Sequence, residues 1–133
     1  MSNYGKYEQR IRAAVGFARE SGFRLVNRTS FHRTPKGVCM CPMAAVVIQS
    51  MDPKKREKVL AGKLPSTTSV LRGAAKVLGV KGSVVDQFMG AFDNVEGSDK
   101  PWPRSMSVED IRQAAFFDAL GIQMRKELRP RST

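Results

Sequence analysis

Between Lys36 and Asp52 no side chain carries a charge, although charge is dense on both sides of that window. Val46, Val47 and Ile48 lie inside it, and withdrawing each from water is worth roughly 1.5–3 kcal/mol. The window therefore predicts the centre of the fold. Its first part, Val38 to Met40 after Gly37, reads as a short strand. Pro42 suits the first turn of a helix, where its missing N–H is no loss, and Cys41 falls at the N-cap. The run is shorter than the ~18 apolar residues of a membrane span. A buried core helix entered from a strand is expected.

Elsewhere, apolar residues at three- and four-residue spacing predict further helices. Tyr7, Ile11, Ala14, Val15 and Ala18 share one face of a first helix from Tyr4 to Ser21, with Gly22 at C′. Asp52 as N-cap and Pro53 at the first helical position open a short basic helix to Ala61. Val59 and Leu60 tether it, and Gly62 and Pro65 close it. Ser66–Ser69 cap a helix from Val70 to Leu78, which Gly79 ends. Ser83 caps the next, Val84 to Phe92. Asp93 to Pro103 reads as an irregular connector. Ser107 with Asp110 opens the last helix, through Ile111, Ala114, Ala115, Phe117, Leu120 and Met124 to about Leu128, with Gly121 a candidate bend. Residues 129–133 form a frayed tail.

Phe23-Arg24-Leu25-Val26-Asn27 alternates, which predicts a strand. Paired with Val38-Cys39-Met40, it makes a small two-stranded hairpin near residues 23–40, closed by a long basic loop. The expected fold is mainly α: one compact domain over 1–133, with five or six helices around the central buried helix. A chain of 133 residues can build such a core without disulfides or metals.

Charge changes the picture. Lys and Arg number 23 against 12 Asp and Glu, a net +11, and +9 of it sits in residues 1–64. Such a surplus fits a polyanionic partner, whether nucleic acid (DNA or RNA), an anionic membrane or an acidic protein surface, and also fits a solubility device with no partner. The candidate contacts are Arg12 and Arg19 of the first helix, Arg28, Phe31, His32, Arg33 and Lys36 of the loop, and Lys54, Lys55, Arg56 and Lys58 of the short helix. The cations would meet phosphates, with Thr29, Ser30 and Thr34 adding hydroxyls. Phe31 either stacks on unpaired bases or turns inward to plug the core. The helix-one arginines also fit a plain solvated face.

Ala75, Leu78, Gly79, Val80, Val85 and Phe88 are spaced as in a helix-turn-helix, which would aim Lys81, Ser83, Asp86 and Gln87 at a major groove. Any tight helical corner needs the same residues. Residues 65–100 carry no net charge, and Asp86 would sit on the reading face. Both argue against sequence-specific reading, which requires phosphates to be neutralised around the helix.

Other chemistry is sparse. Cys39, Cys41 and His32 lack a second ligand pair at finger-like spacing, so buried inert thiols fit them better than a metal site. Asp93 to Asp99 fails the EF-hand spacing, because Gly97 as the turn glycine puts Phe92 at the first ligand position. His32 has no nucleophile or Asp tied to it, and no Gly-rich phosphate loop or paired-carboxylate motif appears. A non-enzymatic protein without a cofactor is expected. Met1 to Arg10 contains no apolar signal segment, and with two cysteines a reducing cytoplasmic compartment is the expectation.

The order of helix, Cys-Met-Cys-Pro-Met-Ala-Ala box (Cys39 to Ala45), Leu78-Gly79 turn, Phe92-Asp93-Asn94 turn and Ser107-led helix resembles a family of small, uncharacterised helical bacterial and phage proteins. In that family a Cys-x-Leu-Gly-Ala type box opens a central helix, and a Trp/Phe-Asn-Asp turn closes a later one. The similarity spans most of residues 7–125. Here Met43-Ala44 replaces Leu-Gly, and Asp93-Asn94 reverses the turn. The resemblance implies a single helical domain and no particular activity. The functional expectation is thus a basic protein holding nucleic acid mainly by backbone phosphates. The alternative is an interaction module, such as a phage or accessory factor, docking on an acidic surface of a host or partner protein.

Overall fold

The computed structural model describes residues 4–93 and 107–132. Among these, the elements run α1 (Gly5–Glu20), β1 (Arg24–Asn27), β2 (Phe31–Thr34), β3 (Gly37–Met40), α2 (Pro42–Ser50), α3 (Pro53–Ala61), α4 (Thr67–Leu78), α5 (Gly82–Asp93), α6 (Val108–Leu128) and β4 (Arg131–Ser132). The protein is mainly helical with a small sheet, as the apolar spacing predicts.

The uncharged window supplies a central part of the core. Cys41, Met43, Ala44, Ala45 and Ile48 are fully buried, and both α1 and α4 pack on α2. Pro42 holds the first helical position, while the Cys41 thiol accepts the Ala44 N–H at 3.4 Å. A thiol can serve as this cap because it sits comfortably in apolar surroundings, where a charged carboxylate would need costly desolvation. The other predicted caps also form: Asp52 on α3, Ser66 on α4 and a reciprocal Ser107/Asp110 capping box on α6.

Ser83 is the exception. It lies inside α5, which Gly82 opens, and the Lys81 carbonyl accepts the Val84 and Val85 N–H groups. The cause is the tight closure of α4. Gly79 adopts φ 73°, and both Gly79 and Val80 donate to the Ala75 carbonyl, leaving Lys81 alone to make the turn.

Helices α5 and α6 form the most extensive helix pair. Phe88, Phe92 and Phe117 are fully buried between them and their neighbours, with Phe88 edge-on to Phe117 at 6.5 Å. Gly121 is a point of close approach, and α6 runs uninterrupted through it. A Cβ there would stand 2.6 Å from the Phe88 carbonyl oxygen and 2.9 Å from Ala91 Cβ.

The sheet differs from the expected hairpin. Its order is β2-β3-β1-β4. β1 pairs with β3 in parallel, and β2, placed inside the segment read as a loop, is the strand that pairs antiparallel with β3. The turn lies at Pro35-Lys36, fixed by the proline ring, by Gly37 at φ 136° and by a Thr34 hydroxyl bond to the Gly37 carbonyl at 3.0 Å. Arg28, at φ 69°, starts the reversal that carries the chain from β1 to β2. In the segment expected to fray after α6, Arg131 and Ser132 pair in parallel with Val26 and Asn27. The expected connector beyond Asp93 falls mostly on residues 94–106, outside the described residues.

Replacing Gly121 with Ala should cost about 1–2 kcal/mol net, since overpacking outweighs the gain in helix propensity of roughly 1 kcal/mol. Urea unfolding of the two proteins checks this. An unchanged or higher midpoint would mean that α5 and α6 do not approach this closely.

Candidate nucleic-acid interface

Three arginines of the basic first half, Arg10, Arg33 and Arg56, and Arg125 of α6 do a different task from the lysines. A helix ends with carbonyls that no intrahelical N–H can reach, and here guanidinium groups reach them. Arg56 Nε donates to the Ile48 carbonyl at 3.0 Å, and its Nη2 donates to those of Gln49 and Met51 at 3.4 and 3.0 Å, closing α2. The same guanidinium lies 4.5 Å over the Phe17 ring of α1. Arg33 Nη2 reaches the Leu60 and Gly62 carbonyls at the end of α3, at 2.9 and 2.7 Å. Arg10 donates to the Val77 carbonyl of α4 at 2.9 Å, and Arg125 to the Ala91 carbonyl of α5 at 2.8 Å. Arg12 is held between Glu8 and Glu127, at 2.9 and 2.7 Å. Three of the predicted phosphate contacts, Arg12, Arg33 and Arg56, are therefore occupied within the protein.

The lysines are not. Lys36, Lys54, Lys55, Lys58 and Lys63 are exposed, and none has a carboxylate partner among the described residues. Helix α3 buries no residue completely. It is held on one side by Arg56, Val59 and Leu60, and the 3.6-residue period turns Lys54 and Lys58 the opposite way, with Lys55 on a flank. Arg33 ties β2 to the C-terminal end of this helix, and Lys36 stands at the tip of the same hairpin.

Strand alternation divides the remaining candidates. Phe31 pairs with the buried Met40 and packs against the core, so it has turned inward. His32 pairs with Cys39, and both lie on the opposite face of the sheet. Arg28 is exposed, and its backbone N–H donates to Asp93 Oδ1 at 2.8 Å. Burial raises the Asp93 carboxyl above its usual range, and this bond partly offsets the rise. Arg19 is exposed at the end of α1, beside Arg24 and Arg129, two basic residues that the candidate set did not include.

The helix-turn-helix spacing is realised as α4, a short turn and α5. Two of the four side chains that it would aim at DNA are engaged elsewhere. Lys81 Nζ pairs with Asp110 Oδ2 at 2.7 Å, and Gln87 donates to Asp118 Oδ1 at 2.8 Å, both on α6. Among the described residues no group of three or more His, Cys, Asp or Glu side chains could hold a metal ion. Cys41 faces the core, away from the Cys39–His32 pair, and burial pushes its thiol up to about 11. No described helix is long and apolar enough to cross a membrane.

These features define a mainly helical fold with a small sheet and a lysine-bearing helix propped outside its core. Compared with protein-family models, with curated proteins and with solved structures, the chain gives no match.

Replacing Arg56 with Met keeps the apolar stem but removes its hydrogen bonds to the Ile48, Gln49 and Met51 carbonyls. It should lower stability by about 2–3 kcal/mol, in the range of a lost charged hydrogen bond, whereas Lys58→Gln should stay within about 0.5 kcal/mol. Chemical denaturation separates the two, and equal effects would refute the division of labour between arginine and lysine. The thiols offer a second check. At pH 8 a disulfide reagent should modify only Cys39 in the folded protein and both cysteines after unfolding, because Cys41 is buried and its thiolate is disfavoured.

Proposed function

We propose that the protein binds nucleic acid without catalysing a reaction, holding backbone phosphates on the outer face of α3 and the tip of the β2–β3 hairpin. The observation that carries this is the set of unpaired lysines at Lys36, Lys54, Lys55, Lys58 and Lys63, alongside Arg10, Arg33 and Arg56, which are spent on helix ends. Lysine is a mobile point charge that suits phosphate contact, and it lacks the rigid fork with which arginine reads a guanine edge. Sequence-independent binding is the natural consequence.

The withdrawal of Phe31 into the core weakens the case for base stacking, so single strands gain no advantage from it. His32 and Arg28 contribute from the hairpin and from the turn before it. A patch of this kind would also accept an acidic protein surface. The kind of salt response and the partner that evokes it tell the two apart.

Anisotropy with a labelled single strand and a labelled duplex, over a range of salt, provides the test. The logarithm of affinity should fall linearly with the logarithm of salt, at roughly 0.9 per phosphate contact on duplex. Changing Lys54, Lys55 and Lys58 together to Gln should make the slope shallower by about 2–3 on the same scale. An unchanged slope would remove this face from the site. No binding at low salt would overturn the nucleic-acid reading in favour of an acidic protein partner.

A further inference from the structure

A second basic feature lies apart from α3. Between the end of α1, the start of β1 and the chain just after α6 runs an open groove of about 350 Å³, lined by Arg19, Phe23, Arg24, Leu25, Leu128, Arg129 and Pro130. We propose that this groove binds a small phosphorylated ligand of the nucleotide class, its phosphates held by Arg19, Arg24 and Arg129 and its flat or apolar portion resting on Phe23, Leu128 and Pro130.

Three observations carry the assignment. The first is chemical composition. The lining includes three arginines and no acidic residue, together with the buried Leu25 and the half-buried Phe23, Leu128 and Pro130. A few convergent charged groups over an apolar surface make an amphipathic anion the matching ligand, and the volume is at the small end for such sites.

The second is that these guanidinium groups are free. Two helix C-termini meet here, and their partial negative charge alone would attract Arg19 and Arg129. That attraction does not account for the arrangement. Arg10, Arg33, Arg56 and Arg125 each donate to carbonyls at a helix end, whereas Arg19, Arg24 and Arg129 make no side-chain hydrogen bond or ion pair among the described residues. Arg24 belongs to a strand, with no helix dipole to complement. Three like charges around one groove repel one another, and an anion with two or more negative charges relieves that repulsion. Arginine forks also match phosphate oxygens two at a time.

The third is backbone conformation. Arg129 caps α6 at φ 45° and ψ 59°, the left-handed region that favours glycine. A long charged side chain stands where glycine would be easier for the chain. The pairing of Arg131 and Ser132 with Val26 and Asn27 then fixes this cap beside β1, which brings Arg129 to Arg24.

The site is independent of the lysine face, since no residue of α3 or of the hairpin lines the groove. Isothermal titration of the full chain at about physiological ionic strength, with adenosine 5′-diphosphate, adenosine 5′-monophosphate, inorganic phosphate and adenosine as probes, tests it. The diphosphate should bind tightest, and inorganic phosphate and adenosine at least tenfold more weakly. Arg24→Gln and Arg129→Gly should each weaken the diphosphate at least tenfold. Arg129→Gly relieves the left-handed strain, so its melting temperature should hold or rise, which separates lost binding from lost folding. The triple change of Lys54, Lys55 and Lys58 to Gln should leave nucleotide affinity within twofold. Equal affinity for adenosine and its diphosphate, or wild-type binding by both arginine variants, would overturn the proposal. So would an equal loss in the lysine variant, which would indicate diffuse charge attraction in place of a groove.

Discussion

A helix with no charge on any side can be buried only if the polar groups at its ends are satisfied, and α2 meets that condition through two unusual partners. The Cys41 thiol caps its first turn, and Arg56 takes three carbonyls at its last. The rest of the molecule follows from this arrangement. Arg56 lies on α3, so capping α2 draws the short basic helix against the core and stacks its guanidinium on Phe17 of α1. One side chain thereby joins three helices. The outer face of α3 is left to solvent, carrying its lysines with it.

The same device recurs. Arg33 closes α3 from the sheet, Arg10 closes α4 from α1, and Arg125 closes α5 from α6. Each guanidinium also connects an element to a partner distant in the chain. A carbonyl at a helix end accepts strongly from a cation because it carries the negative end of the dipole, and arginine keeps its charge in surroundings that would tempt a lysine to lose its proton. Much of the basic surplus is therefore internal fastening, and net charge alone overstates the surface open to a partner.

What remains open falls into two places of different character. Around α3 and the hairpin tip the free cations are lysines on a convex surface, suited to a long polyanion that needs no fixed orientation. At the junction of α1, β1 and the end of α6 the free cations are arginines around an apolar floor, suited to one small anion held in a defined pose. The helix-turn-helix spacing, by contrast, belongs to the core. Its buried residues join α4 to α5, and α6 engages two of the side chains that a groove-reading helix would present.

The helices were legible in the sequence because their signals are local. The apolar period of Tyr7–Ala18, the Pro and Asp that open α3, the Gly at 79 and the Ser107/Asp110 box each act within one or two turns of chain. The sheet was only partly legible. Pro35-Lys36-Gly37 marks a turn, but which strand meets which depends on segments separated in sequence, and Phe31-His32-Arg33-Thr34 has too few apolar residues to declare itself. Arg56 and Lys58 look alike in the sequence, as do Arg19 and Arg33. Tertiary packing alone decided which cations reach a carbonyl and which stay in water, because a long side chain takes its partner from whatever backbone the fold brings within its reach.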